Sequence, residues 1–232
     1  VSFDFLAFFA IVFGTYVVAP HRWQNRLLLM ASYLFYGWWD WRFLSLIAIS
    51  TVVDFACGQI ADPHADQPRS ERARTWALRT SVAVNLGILG FFKYFNFFAD
   101  SFRNAAASIG WQVNPGTLDV VLPVGISFYT FQTMSYTFDV YRGELRATRR
   151  FFDFALYVAF FPQLVAGPIE RAKALLPQVL APRSMTWAKV TSGFHLALWG
   201  FFKKMVIADN LAPIVNATFR LEDPPPAQLV VA

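Results

Sequence analysis

Residues 160–171 read FFPQLVAGPIER, and the placement of this stretch decides the fold. It closes an apolar run that starts at Phe151 and would suit a lipid environment. Yet it carries Pro162, Gln163, Gly167 and Pro168, which a plain spanning helix avoids. Pro162 lacks a backbone donor, and Pro168 steers Gly167 away from helical geometry. Both flanks are basic: RGELRATRR at 142–150 and IERAKALLPQVLAPRSMTWAK at 169–189. A segment with the same kind of loop at both ends enters and leaves a membrane on one side. Non-helical backbone at membrane depth is tolerated only inside protein or beside a water-filled cavity. The stretch is therefore expected to be re-entrant and to line a cavity; the plainer alternative is a proline-kinked helix.

Composition sets the class. Of 232 residues, 56% are hydrophobic and 15% are charged, against about 25% charged in soluble domains. Aromatic residues make up 18% of the chain. One soluble core of this size cannot hide so much apolar surface. The expectation is an all-α, polytopic integral membrane protein, a helical bundle forming one membrane domain over 1–232. The net charge is +5, but the basic residues sit in short breaks between apolar runs rather than along a polar face, which argues against nucleic acid. The single cysteine, Cys57, excludes a disulfide framework and a cysteine metal cluster within the chain. No metal site is expected. Asp4 stands where a signal peptide would be basic, which disfavours a cleaved leader.

Apolar runs cover 3–19, 27–39, 42–60, 76–99, 118–141, 151–168 and 190–219. Basic loops mark the cytoplasmic side. Arg22 and Arg26, the loop 61–75 and the four-arginine loop 142–150 are assigned there. The tip around Trp38, Trp39 and Trp41 and the loop 100–117 face out. These sides alternate without conflict.

Polar residues inside apolar runs suggest protein-facing surfaces. In 122–141, Thr130, Thr133 and Thr137 share one helix face, and Gln132, Ser135 and Asp139 lie nearly opposite. Lipid would penalise both sets, so protein should surround this helix, with helix–helix hydrogen bonding as the plain role of the threonines. Asp139 is placed to pair with Arg142. In 80–99, Asn85, Lys93 and Asn96 fall within an arc of about 80° and should face the bundle interior. Lys93 could instead snorkel outward. No phosphate-binding, dinucleotide, zinc or serine-hydrolase pattern occurs. His21 and His64 sit in expected loops beside prolines; His195, in SGFHLALWGFFKKM, is the one candidate for a general base at membrane depth, and a weak one.

Four ordered stretches, NLGILGFFKYFNFF, LPVGISFYTFQTMSYTFDVYRGE, DFALYVAFFPQLVAGPIER and GFFKKMVIADNLAPIV, together resemble the bacterial membrane-bound O-acyltransferases. The alginate O-acetylating branch is nearest, and the branch that exports D-alanine onto teichoic acid is more distant. The resemblance implies a ring of helices around a funnel, with a thioester donor (acetyl-CoA or an acyl carrier protein) on the cytoplasmic side and no bound cofactor. It implies an acceptor and acetyl-transfer partner proteins on the outer side of a bacterial inner membrane. Pro162, Gln163, Gly167, Pro168, Lys93 and Asn96 would line the cavity. Arg171, Lys203, Lys204 and Asp209 would form the cytoplasmic rim. The family's catalytic His lies in an Arg-x-Trp-His segment after a DFSGYSD-like stretch. Neither pattern occurs in these residues, so that role is not carried onto His195. The resemblance thus implies the N-terminal part of a longer enzyme, inactive alone. A transporter or channel subunit and a non-catalytic membrane scaffold are the alternatives.

Overall fold

A computed structural model describes residues 3–111, 121–164, 167 and 170–219. The described residues are helical and irregular, with no strand among them. The chain divides into two compact units, Val1–Arg183 and Ser184–Ala232.

In the first unit, α1 spans Phe3–Val18, α2 His21–Asp40, α3 Leu44–Ala61, α4 Glu71–Ser108, α5 Ile126–Tyr141, α6 Phe151–Ala159, α7 Phe161–Leu164 and α8 Ala172–Leu180. Two stretches, Arg22–Ala61 and Glu71–Ser108, are long and apolar enough to cross a membrane. The first is divided into α2 and α3. Asp40 is extended at φ −161°, ψ 109°, and its carboxylate accepts from the Arg42 N–H, closing a 3₁₀ turn over Trp41–Phe43. The two helices form an antiparallel hairpin, because Asn25 at the start of α2 and Gln59 at the end of α3 both bond to the segment around 148–153. At the opposite end, the Tyr36 hydroxyl donates to the Val124 carbonyl at 2.9 Å. Trp38 and Trp41 at this tip are exposed.

Helix α4 departs from the expected loops at both ends. It begins at Glu71, capped by the Ser70 hydroxyl accepting from the Ala73 N–H at 3.3 Å, with Glu71 favourably placed in the first turn. It runs through 100–108, which was expected to be loop, because NAAAS offers good helix formers. It stops at a left-handed Gly110, with Trp111 N–H bonding Ala106 O at 2.9 Å and Gly110 N–H bonding Ala107 O at 3.0 Å, a Schellman ending. Its 38 residues make a rod about 57 Å long.

The buried core joins α2, α3, α5, α6 and α8 through Tyr36, Ile47, Tyr129, Tyr136, Phe154, Tyr157 and Leu176. Helix α5 is central, packing on α3, α4, α6 and α8. Both of its polar faces are buried. Thr130, Thr133 and Thr137 face inward on one side, and Gln132 and Asp139 are buried on the other. Outside this core the surface is apolar: Phe97, Phe98, Met30 and Leu34 are all exposed.

In the second unit, α9 (Trp187–Phe202) and α10 (Asp209–Phe219) are joined by a π-helical turn, Lys203–Ala208. No side chain of α9 is buried, and Phe194, Leu196 and Trp199 stand exposed.

Gly125, in the left-handed region at φ +75°, starts α5, and a Cβ there would lie 2.7 Å from the Leu164 carbonyl oxygen. Gly125→Ala is expected to cost at least about 2 kcal/mol. Gly87→Ala, in open space on α4, should gain about 0.5–1 kcal/mol. Thermal unfolding of the two variants checks this; equal shifts would overturn the assignment.

Candidate functional site

The polar centre is built on Asp54, a fully buried carboxylate on α3. Its Oδ1 accepts from Thr137 Oγ1 at 2.8 Å and from Ser81 Oγ, and its Oδ2 accepts from Asn85 Nδ2 at 2.6 Å. Thr133 Oγ1 donates to Asn85 Oδ1 at 3.2 Å, so α3, α4 and α5 are tied in one network. No cation pairs with Asp54 among the described residues. One turn toward the Trp tip, the Ser50 and Thr130 hydroxyls are buried without a partner. Buried hydroxyls of this kind are normally satisfied by ordered water. Just beyond the network, Gly58 meets Tyr136 so closely that a Cβ would lie 2.5 Å from Cε1.

The opposite face of α5 grips the broken segment. Gln132 Nε2 donates to the Tyr157 carbonyl at 2.6 Å, and the Tyr157 hydroxyl donates to the Gln132 carbonyl at 2.8 Å. Helix α6 then stops: Phe160 takes φ −56°, ψ 104°. Pro162 explains the position, since its ring would clash with the carbonyl four residues back in a continuous helix but is tolerated in the first turn of a new one. The Phe161 N–H is taken up by the Ser32 hydroxyl at 3.2 Å. Gln163 is buried, its Nε2 3.4 Å from Gln132 Oε1. Gly167 follows closely, its N–H bonding Gln163 O at 3.0 Å. Pro168 lies outside the described residues.

One end of the bundle collects the basic loops. Asp62 accepts from the His64 N–H at 2.8 Å and the Ala147 N–H at 2.9 Å, joining loop 62–70 to loop 142–150. Arg149 pairs with Asp66. Arg74 donates to the Ala61 and Tyr141 carbonyls at 3.0 and 2.8 Å. Lys173 pairs with Glu144 at 2.6 Å. The Asp139 carboxylate accepts from the Lys173 N–H at 3.4 Å rather than pairing with Arg142; a free helix N-terminus offers it donors at lower conformational cost. Hydrogen bonding from Lys173, and then its charge, holds the Glu144 carboxyl below the ordinary range; Arg149 does the same to Asp66.

The remaining sequence candidates are dispersed. Lys93 is exposed, with its ammonium 5.6 Å from the Tyr94 ring centre, and Asn96 is half-buried. Arg171 is exposed at the start of α8. In the second unit, Lys204 pairs with Asp209 at 2.7 Å, five residues apart, the spacing a π turn brings together. Lys203 stands over Trp199, 5.4 Å from the ring centre. His195 is exposed on α9. No group of His, Cys, Asp and Glu among the described residues could hold a metal. The described arrangement can fix helices and shape a polar interior; it contains no base held against a nucleophile. Asp54 was missed because a lone Asp in an apolar run has no local pattern; the signal lay in Asn85 and the threonine face, which need an acceptor.

Asp54→Ala should strand three buried donors, each costing about 1–3 kcal/mol, and lower the unfolding midpoint more than Asp139→Ala; a smaller effect would show the network to be peripheral. Acid should act elsewhere. The lowered carboxyls of Asp66 and Glu144 contribute above their unfolded values, about pH 4, and lose that contribution as pH falls through their folded values. Amide exchange in 142–150, corrected for intrinsic rate, should be flat from pH 8 to 5 and rise below about pH 4; no rise would show these pairs to be idle.

No family model matches the chain, and no solved structure does. Curated relatives match nearly all of it. A protein named "Probable alginate O-acetylase" from Azotobacter vinelandii is 44% identical over 218 residues, 94% of this chain and 42% of the relative. Its namesake from Pseudomonas aeruginosa is 43% identical over 222 residues, 95% of this chain and 42% of the relative. A peptidoglycan O-acetyltransferase from Helicobacter pylori is 30% identical over 244 residues, 92% of this chain and 45% of the relative. The chain spans less than half the length of each. The resemblance first carried by four ordered stretches therefore extends over 94–95% of the chain, which is similar to part of these alginate O-acetylases.

Proposed function

We propose that the chain is the N-terminal membrane part of an enzyme that O-acetylates an extracellular polysaccharide such as alginate, handing an acyl group across the bacterial inner membrane. The observation that carries this reading is 44% identity, over 94% of the chain, to a protein named as an alginate O-acetylase. The thioester donor, acetyl-CoA or an acyl carrier protein, arrives at the end where the basic loops meet. Acetyl-transfer partner proteins work on the other side.

The physical support is threefold. Many large apolar side chains stand exposed on the bundle, as lipid contact requires. Three segments assigned to the cytoplasm by charge lie at one end of the first unit: 20–26, 61–75 and 142–150, joined through Asn25–Asp153 and Asp62–Ala147. The broken segment suits re-entry. Helix α6 has 9 residues, about 14 Å against a hydrocarbon core of about 30 Å, and α8 packs back on α6. In this reading Gln163, Gly167, Lys93 and Asn96 face the substrate cavity. Arg171 rims its donor side.

The test is acyl transfer from a labelled thioester in membranes. The protein extended to the length of its relatives should be active, and its His195→Ala variant should keep most of that activity. Residues 1–232 alone should be silent, since loss of a general base typically costs about 10²–10⁴-fold. Transfer by the 232 residues that His195→Ala abolishes would overturn the assignment. Release of the chain from membranes by alkaline carbonate would overturn the membrane reading.

A further inference from the structure

An apolar groove of about 370 Å³ runs along the outside of the first unit, between α1 and the α6–α8 segment. Its walls are Phe9, Val12, Phe13, Leu28, Leu156 and Leu175, and Phe161 closes the far end beside the helix break. Its near end is different: Tyr16, Gln178 and Arg183 stand there. This is the end at which Asn25 bonds Asp153, beside the basic loop 142–150.

Arg183 is a cation held by neutral groups. It donates through Nη2 to Asn25 Oδ1 and to Val179 O at 3.1 Å, through Nε to Gln178 O at 3.3 Å, and through Nη1 to Tyr16 OH at 3.4 Å. Among the described residues no carboxylate lies within ion-pair distance of it. Asp153 is the nearest acid in the network, kept apart by Asn25, which bonds both, and engaged by Arg150 at 3.8 Å. A guanidinium has five donors, so one N–H on Nη1 is left over. The side chain is half-buried and fixed at the mouth of a slot with no polar lining deeper in.

We propose that this groove holds one acyl chain of an anionic phospholipid, with the lipid phosphate on Arg183. The complementarity is twofold: an unneutralised, pre-oriented guanidinium suits a phosphate oxygen, and a slot of phenylalanine and leucine suits hydrocarbon. The two halves lie in the order a lipid presents them, head at the basic-loop end and tail toward mid-bilayer. The groove ends against Phe160–Pro162, so the bound tail packs on the break that starts α7. The proposal rests on the placement of the chain in a bilayer, and its test separates the two.

The experiment is native mass spectrometry of the detergent-purified protein, stripped of lipid and reloaded with phosphatidylglycerol, phosphatidylcholine, palmitate or glycerol 3-phosphate. Wild type should retain one phosphatidylglycerol, several-fold more than phosphatidylcholine, and neither fragment alone. Arg183→Gln should cut phosphatidylglycerol retention about fivefold, the size expected for one basic residue facing anionic lipid, and erase the preference. Val12→Phe, which fills the groove, should reduce both lipids. Arg103→Gln, on an exposed arginine of α4, should change nothing. Equal retention by wild type, Arg183→Gln and Val12→Phe would overturn the proposal. If either variant aggregates, the four-ligand comparison on wild type decides: no preference for phosphatidylglycerol, or equal retention of palmitate, overturns it. A chain that carbonate strips from membranes fails the bilayer reading instead, before any lipid is weighed.

Discussion

A desolvated carboxylate with no countercharge is the constraint from which the rest of the bundle follows. Removing a carboxyl group from water is expensive unless hydrogen-bond partners replace the lost solvent. Asp54 obtains them from two other helices: Ser81 and Asn85 on α4, Thr137 on α5. Much of the buried packing around these donors is apolar and therefore non-directional. Greasy faces can slide past one another at little cost. Three hydrogen bonds to one carboxylate cannot, so the network sets the register of α3, α4 and α5. Gly58 then admits Tyr136 at a separation no Cβ would permit, and the Tyr136 hydroxyl reaches the Thr148 N–H at 3.3 Å, carrying the register into the loop beyond α5.

Helix α5 transmits that register to the broken segment. Its threonine face is committed to the Asp54 network and its glutamine face to Tyr157 and Gln163. The segment it grips leaves the helical path at Phe160, and partners from outside meet its Phe161 N–H and Tyr157 carbonyl. Ser32 supplies an acceptor to the Phe161 N–H, and the reciprocal Gln132–Tyr157 pair holds the last turn of α6. Backbone can leave a helix inside the bundle only because surrounding protein meets its polar groups. The break is thus a property of the bundle as much as of Pro162.

What could be read from the sequence follows the range of each signal. Local chemistry was legible: the Trp-rich turn near Asp40, the burial of both faces of α5, and the interruption before Pro162 each follow from a few neighbouring residues. So was the gathering of basic loops, because charge sidedness is a sum over short segments. The extension of α4 to Ser108 was not, since polar residues there looked like loop while their helix propensity and the Gly110 stop decided otherwise. Nor was Asp54, whose partners are 27 to 83 residues away in sequence. The Asp139 pairing failed for a related reason: Arg142 was the near cation, but the start of α8 is nearer in space.

The same distinction explains why the two units read so differently. In the first, most polar side chains inside apolar helices find partners within the chain. In the second, α9 leaves Phe194, Leu196, Trp199 and His195 exposed. A helix apolar all round is stable only against an apolar surround. The π turn that follows spaces Lys204 and Asp209 to neutralise each other, which lowers the cost of placing charge in such a helix. The first unit carries its own organising interaction. The second has one ion pair and an unmatched apolar surface, so whatever covers α9 must itself be apolar.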